Sequence, residues 1–262
     1  MRVLAIANQK GGVGKTTTAI NLGTALAATG KNVLIFDTDP QGNASTGIDI
    51  RPEDRAITSY DVLSGAHSFA KAILPTKVPN LYIIAADGNL SGIETELMSG
   101  ERAQYRLRDT IAQYRAANEL KIDYMMIDCP PSLNVLTVNA LTAADAVLVP
   151  LQTEFFALEG LAQLVSTINT VKQNLNPSLQ IQGVVLTMYD KRTSLSEQVA
   201  EEVRKHFPDK VYETVIPRNV RISEAPSHGL PAIIYDPAAA GSKAYIRLAK
   251  ELIERERVLL AA

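Results

Sequence analysis

The sequence predicts a doubly wound α/β fold, a mostly parallel sheet with helices on both faces. Three observations predict it. Short runs rich in Val, Ile and Leu recur along the 262 residues and are apolar at successive positions, as strands buried on both faces are. Helix-length segments alternate with those runs, which implies crossover connections and parallel strands. The first run, Val3-Leu4-Ala5-Ile6-Ala7, passes directly into a glycine-rich turn. Such sheets bind ligands at that place, beyond the carboxyl ends of their strands.

The expected strands are 2–7, 32–37, 81–85, 123–128, 146–150 and 181–187. The expected helices are 15–29, 102–117, 157–174, 195–206 and 242–257. Gly30 stands where a helix often stops. Residues 38–60 have weak periodicity and read as a long functional loop. No linker divides the chain, so residues 1–262 are expected to form one domain.

Composition narrows the function classes. The chain is 46% hydrophobic with a formal net charge of -2, enough for one large core and without a global basic signature for nucleic acid. Residues 1–130 carry 13 basic and 14 acidic side chains, and residues 131–262 carry the same numbers. Binding to nucleic acid therefore needs a local patch. One cysteine, Cys129, excludes an intramolecular disulfide and fits a reducing cytosol. No signal peptide, repeat or low-complexity stretch is visible. No apolar run approaches the ~20 residues of a membrane span.

The turn reads Asn8-Gln9-Lys10-Gly11-Gly12-Val13-Gly14-Lys15-Thr16-Thr17. Strand, glycine-rich turn and helix in that order make a phosphate-binding loop. Its glycines let backbone N–H groups, including that of Val13, converge on phosphate oxygens. The helix opening at Lys15 adds the positive end of its dipole. Lys15 can reach the β- and γ-phosphates, and the Thr16 hydroxyl can coordinate Mg²⁺. The usual first glycine is replaced by Gln9, and a second lysine, Lys10, follows it.

Lys10-Gly11-Gly12-Val13-Gly14-Lys15-Thr16-Thr17 resembles the deviant Walker A motif of the ParA/MinD group of P-loop ATPases. The resemblance implies ATP and Mg²⁺ as ligands, with Lys10 crossing a dimer interface to the partner's nucleotide. Asp37-Thr38-Asp39-Pro40 resembles the group's switch I. That assigns Asp39 to orienting the attacking water near the metal, with Asp37 in support. Met126-Ile127-Asp128 is a Walker B pattern in which Asp128 holds Mg²⁺ directly or through water. Val215-Ile216-Pro217-Arg218-Asn219 and Thr187-Met188-Tyr189 resemble segments that border the base, giving Pro217, Asn219 and Met188 as candidates.

Phe155 to Leu161, Thr187 to Asp190 and Val215 to Gly229 look like chromosomal ParA proteins. That branch implies an ATP-bound homodimer, non-specific DNA binding, a ParB-like partner that stimulates hydrolysis, and a nucleoid-associated cytoplasmic protein. The chain starts at its phosphate-loop strand, so no N-terminal DNA-binding extension is expected. Arg192 and Arg221 lie in segments resembling DNA-contacting positions, and Arg218 is a further candidate. Lys243, Arg247 and Lys250 are spaced for one face of the last helix. A nitrogenase-type iron protein is excluded, because a dimer would offer two of four required thiolates. A MinD-like membrane helix is not expected, since the apolar tail Val258 to Ala262 is short and lacks an aromatic. A metabolic ATP-dependent ligase of the same fold and a MinD-like, membrane-recruited positioning ATPase remain competing classes.

Overall fold

The computed structural model describes residues 1–98, 102–117 and 120–261. The elements run β1 (Arg2–Ile6), α1 (Lys15–Ala27), β2 (Val33–Asp37), α2 (Asn43–Gly47), α3 (Ser59–Ser64), β3 (Leu74–Pro75), β4 (Leu81–Ile84) and α4 (Ile93–Met98). Next come α5 (Arg106–Ala117), β5 (Tyr124–Asp128), α6 (Val135–Ala143), β6 (Ala146–Gln152), α7 (Ala157–Asn174) and β7 (Gln180–Thr187). The chain ends with α8 (Ser194–His206), α9 (Val220–Glu224), α10 (Ala232–Tyr235) and α11 (Ala240–Ala261). The seven strands form one sheet in the order β3-β4-β2-β5-β1-β6-β7. Every pairing is parallel except β3 with β4.

Alternation along β1 sends Val3 and Ala5 to one face and Leu4 and Ile6 to the other. The first face is covered by α3, α5, α6, α7 and α8, and the second by α1 and α11. On α11, Ala244, Tyr245, Leu248, Ala249 and Leu252 are buried, while Lys243, Arg247 and Lys250 are exposed. The apolar stripe thus turns the cationic stripe outward.

The six expected strands and five expected helices are all present, with small shifts at their ends. Helices α4, α6, α9 and α10 were not among the expected ones, and two further features differ. Residues 38–60 are not a plain loop: they contain α2, a 3-10 turn at Pro52–Asp54 and the start of α3. These helices are too short to show a period, and tertiary contacts hold them. The antiparallel edge strand β3 has two residues, too few to register as alternation. The helix α11 continues to Ala261 through the apolar tail, whose last residue, Ala262, lies outside the described residues. No described helix is long and apolar enough to cross a membrane.

Candidate functional site

Strand register builds the site. Ile6 of β1 and Asp37 of β2 both pair with Asp128 of β5, so three strand ends lie side by side. The phosphate loop leaves β1 there and reaches α1 through Gly12 at φ 76° and Gly14 at φ 89°. Side chains cross these left-handed values poorly, which accounts for glycine at both positions. Gly14 also precedes α1 without a side-chain cap, leaving the first N–H groups free to face a ligand.

Neighbouring strands brace the loop. Asn8 donates its side-chain amide to Pro150 O at 2.7 Å and accepts from Lys10 N at 3.0 Å. Thr187, at the end of β7, donates its hydroxyl to Val13 O at 2.8 Å. Lys15 curls back and donates Nζ to Lys10 O at 3.0 Å. The exposed Lys10 side chain pairs with Glu154 of the same chain.

The acidic groups carry the strongest electrostatic conflict. Asp128 is fully buried, and neither carboxylate oxygen has a partner of hydrogen-bond geometry. Burial holds its pKa well above the usual range, and Asp37 adds to the rise. The Thr16 hydroxyl and Lys15 favour the ionised form and oppose it. Asp37 is raised from 3.8 to about 6 by burial. It accepts bonds from Ser45 N at 3.0 Å, Ser45 Oγ at 2.7 Å and Asp39 N at 3.1 Å. Burial lowers the Lys15 pKa, while Asp128 and the other anionic groups nearby resist the change. Cys129 is buried with its thiol pKa pushed up by burial, which makes it a poor nucleophile.

Lys15 opens onto a cavity of about 740 Å³, whereas Asp37, Asp128 and Cys129 lie buried behind its lining; the size suits a nucleotide. Gly11, Gly12, Gly14, Lys15, Thr16 and Thr17 form one wall, and Asp39 and Met188 also line it. Sequence reasoning missed the remaining wall. Gln41, Asn43 and Thr46 come from the α2 segment, Pro130 to Ser132 from the turn after β5, and Ala225, Pro226 and Leu230 from the turns after α9. The paired prolines Pro130-Pro131 and the resemblance over Val215 to Gly229 were the signals available for the last two groups. Pro217 stands on a different cavity. Asn219 caps α9, with a buried Oδ1 that lacks a hydrogen-bond partner.

The residues fit a hydrated Mg²⁺. An unpaired buried carboxylate, a threonine hydroxyl and a second carboxylate are hard oxygen donors. Mg²⁺ commonly takes one or two of these and completes its octahedron with water and phosphate oxygens. Among the described residues no cluster of three or more His, Cys, Asp or Glu side chains could hold a metal unaided.

The second cavity, about 710 Å³, gathers Lys191, Arg192, Arg218, Lys243 and Arg247 around one carboxylate, Asp190. Four of these cations were expected from sequence, and Lys191 was not. Arg192 is already engaged: it forks onto Asp190 at 2.9 and 2.7 Å, and those bonds depress the Asp190 pKa. Lys191, Arg218, Lys243 and Arg247 have no ion-pair partner among the described residues. Lys250 and Arg221 lie outside the cavity wall, and Arg221 pairs with Glu224 at 2.9 Å and Asp236 at 3.4 Å.

Known proteins resemble this chain in sequence and fold. A family model described as an AAA domain matches residues 1–181. A chromosome partitioning protein ParA of Caulobacter vibrioides is 64% identical over 98% of this chain and 96% of its own. The sporulation initiation inhibitor protein Soj of Bacillus subtilis is 52% identical over 96% of this chain and 98% of its own. A cobyrinic acid a,c-diamide synthase of Mycobacterium smegmatis, solved with bound ADP and magnesium, superposes at TM-score 0.82. It is 35% identical, over 98% of this chain and 96% of its own. The cell division ATPase MinD of Pyrococcus furiosus superposes at TM-score 0.78 with 27% identity, over 97% of this chain and 98% of its own.

Proposed function

The chain belongs to the ParA/Soj family of chromosome-partitioning ATPases, and from that premise we propose that ATP switches its hold on DNA. ATP and Mg²⁺ are its ligands. The loop N–H groups and Lys15 hold the phosphates in this reading. Thr16 and Asp128 hold the Mg²⁺, and Asp39 shares that role while orienting the attacking water. Bound Mg²⁺ neutralises charge that develops on the phosphate oxygens. Met188 borders the base in this reading, whereas Pro217 and Asn219 do not line the nucleotide cavity.

One observation carries the switch: a single short segment serves both cavities. Thr187 bonds the phosphate loop, Met188 lines the nucleotide cavity, and Asp190 to Arg192 line the cationic one. Met188 sits at φ 50°, a costly backbone state for a side chain other than glycine. A rearrangement at the nucleotide therefore has a direct mechanical route to the cations.

The ATP form pairs two copies, with Lys10 leaving Glu154 for the partner's nucleotide. Phe155 and Phe156 support that pairing, since they are 76% and 64% exposed directly after Glu154. Two cationic cavities in one dimer bind duplex DNA without sequence preference and with avidity. In this reading the ATP-bound dimer sits on the nucleoid, and a ParB-like protein on the centromere stimulates hydrolysis and release.

DNA affinity measured with ATP against ADP over a salt series tests this. The expected result is tight, steeply salt-dependent binding with ATP only. Equal affinity in both nucleotides, or hydrolysis that consumes a small-molecule acceptor, would overturn it and favour a ligase.

A further inference from the structure

Between β2 and β4 the chain carries Asp39 into the cavity, and one arginine ties that stretch down. Arg55 is half-buried and has no ion-pair partner among the described residues. Its fork donates instead to neutral oxygens. Nη1 reaches Ala86 O at 2.9 Å, Nε and Nη2 reach Ile50 O at 3.2 and 2.8 Å, and Nη2 reaches Thr46 Oγ1 at 2.8 Å. Ala86 lies just past β4, Thr46 in α2 and Ile50 just beyond it. One guanidinium therefore pins the α2 segment to the end of β4, the strand next to the edge of the sheet.

The backbone is built around this group. Gly42 has φ 60°, and a Cβ there would lie 2.5 Å from Arg55 Nη1 and 2.7 Å from Ala86 O. Gly42 N donates to Asp39 O at 2.8 Å, so the turn that begins at Asp39 closes against the arginine. From the other side Ser45 Oγ donates to Asp37 at 2.7 Å and accepts from Ala86 N at 3.0 Å. Ala86 is held through both its N–H and its carbonyl. Arg55 itself does not line the nucleotide cavity.

We infer that Arg55 is a positioning residue for ATP hydrolysis, fixing the Asp39–Thr46 segment against β4 so that Asp39 faces the cavity. This rests on the role proposed for Asp39. The fork is needed because its bonds point along separate directions to three acceptors. A lysine ammonium presents its donors from one atom and cannot span them. Misplacing a catalytic group by about 1 Å can cost on the order of 100-fold in rate.

The test is phosphate release from Mg-ATP by the full chain as wild type, Arg55→Ala, Arg55→Lys and Asp39→Ala. In Arg55→Ala, kcat is expected to fall about 10- to 100-fold, with KM for ATP changed less than about 3-fold. Arg55→Lys should fall between the two and decides the matter if the alanine variant does not fold. Amides of residues 40–50 should exchange faster in both variants while sheet amides stay protected. Wild-type kcat per folded molecule in Arg55→Lys, or in a folded Arg55→Ala, overturns the inference. Asp39→Ala separates the premises. If it hydrolyses normally, the role of Asp39 is wrong; if it alone is dead, only the role of Arg55 is wrong.

Discussion

At Asp128 two requirements oppose each other. A buried carboxylate without a hydrogen-bond partner weakens the folded chain, yet the same unspent oxygens are what a hydrated Mg²⁺ needs. Asp128→Asn keeps the shape and removes the charge. The variant is expected to lose the rise in melting temperature that Mg-ATP gives the wild type. An equal rise in both would show that the Asp128 charge does not hold the metal. Asp37 makes a pH prediction. Its folded pKa is raised from 3.8 to about 6, so the folded state holds the proton more tightly than the unfolded chain does. The contribution favours folding at low pH and is lost as pH rises through about 6. Urea midpoints of the ligand-free protein at pH 5 and 7 should show wild type losing more stability than Asp37→Asn. An equal loss in both would mean that burial does not raise this carboxyl.

At the scale of elements, α11 and the segment after β7 combine into one cationic wall. Only Lys243 and Arg247 of the α11 stripe line the cavity, with Arg218 and Arg192 opposite. Changing Lys243 or Arg247 to Ala should lower the log-log salt slope of DNA binding by about one unit for each phosphate left without its cation. Arg221→Ala should cost less, because Glu224 and Asp236 already engage that side chain. Asp190→Asn should tighten binding by releasing Arg192. Electrophoretic shifts of unrelated duplexes across a salt series read all four variants. Unchanged affinity after the paired Lys243 and Arg247 substitutions would move the surface elsewhere. The i, i+4, i+7 spacing was legible in the sequence. Lys250 carries the same spacing but lies off the cavity wall, and only the packing angle of α11 decides that.

For the whole molecule, the state that matters is set by Lys10 of the phosphate loop and by Asp39, which lines the nucleotide cavity. Lys10 is tied to Glu154 of its own chain, an exposed pair of the kind worth at most about 1 kcal/mol. It can be given up for a phosphate. Lys10→Ala should bind nucleotide and stay monomeric with ATP. Asp39→Ala should form the dimer and hydrolyse poorly. Size-exclusion chromatography of both with Mg-ATP, beside phosphate release, checks the division of labour. A monomeric Asp39→Ala, or a normal dimer of Lys10→Ala, reverses the assignments.

Much of this architecture follows from local rules. Apolar runs fully buried on both faces specify parallel strands, and the glycine spacing around Val13 specifies a phosphate loop, because both are properties of a few consecutive residues. The sequence also placed aspartates at the ends of β2 and β5, since a charge cannot continue a buried strand. Other features depend on residues far apart in the chain. Asp37 and Asp128 become neighbours only through strand register. The α2 segment is shaped by Arg55, Ser45 and Ala86, and no periodicity announces those bonds. The far wall of the nucleotide cavity comes from turns after α9, near the opposite end of the chain. The sequence by itself therefore determined the six longer strands, the five long helices it outlined and the chemical groups they carry. Tertiary structure alone decided which groups share a cavity, because that depends on register and packing angle across the sheet.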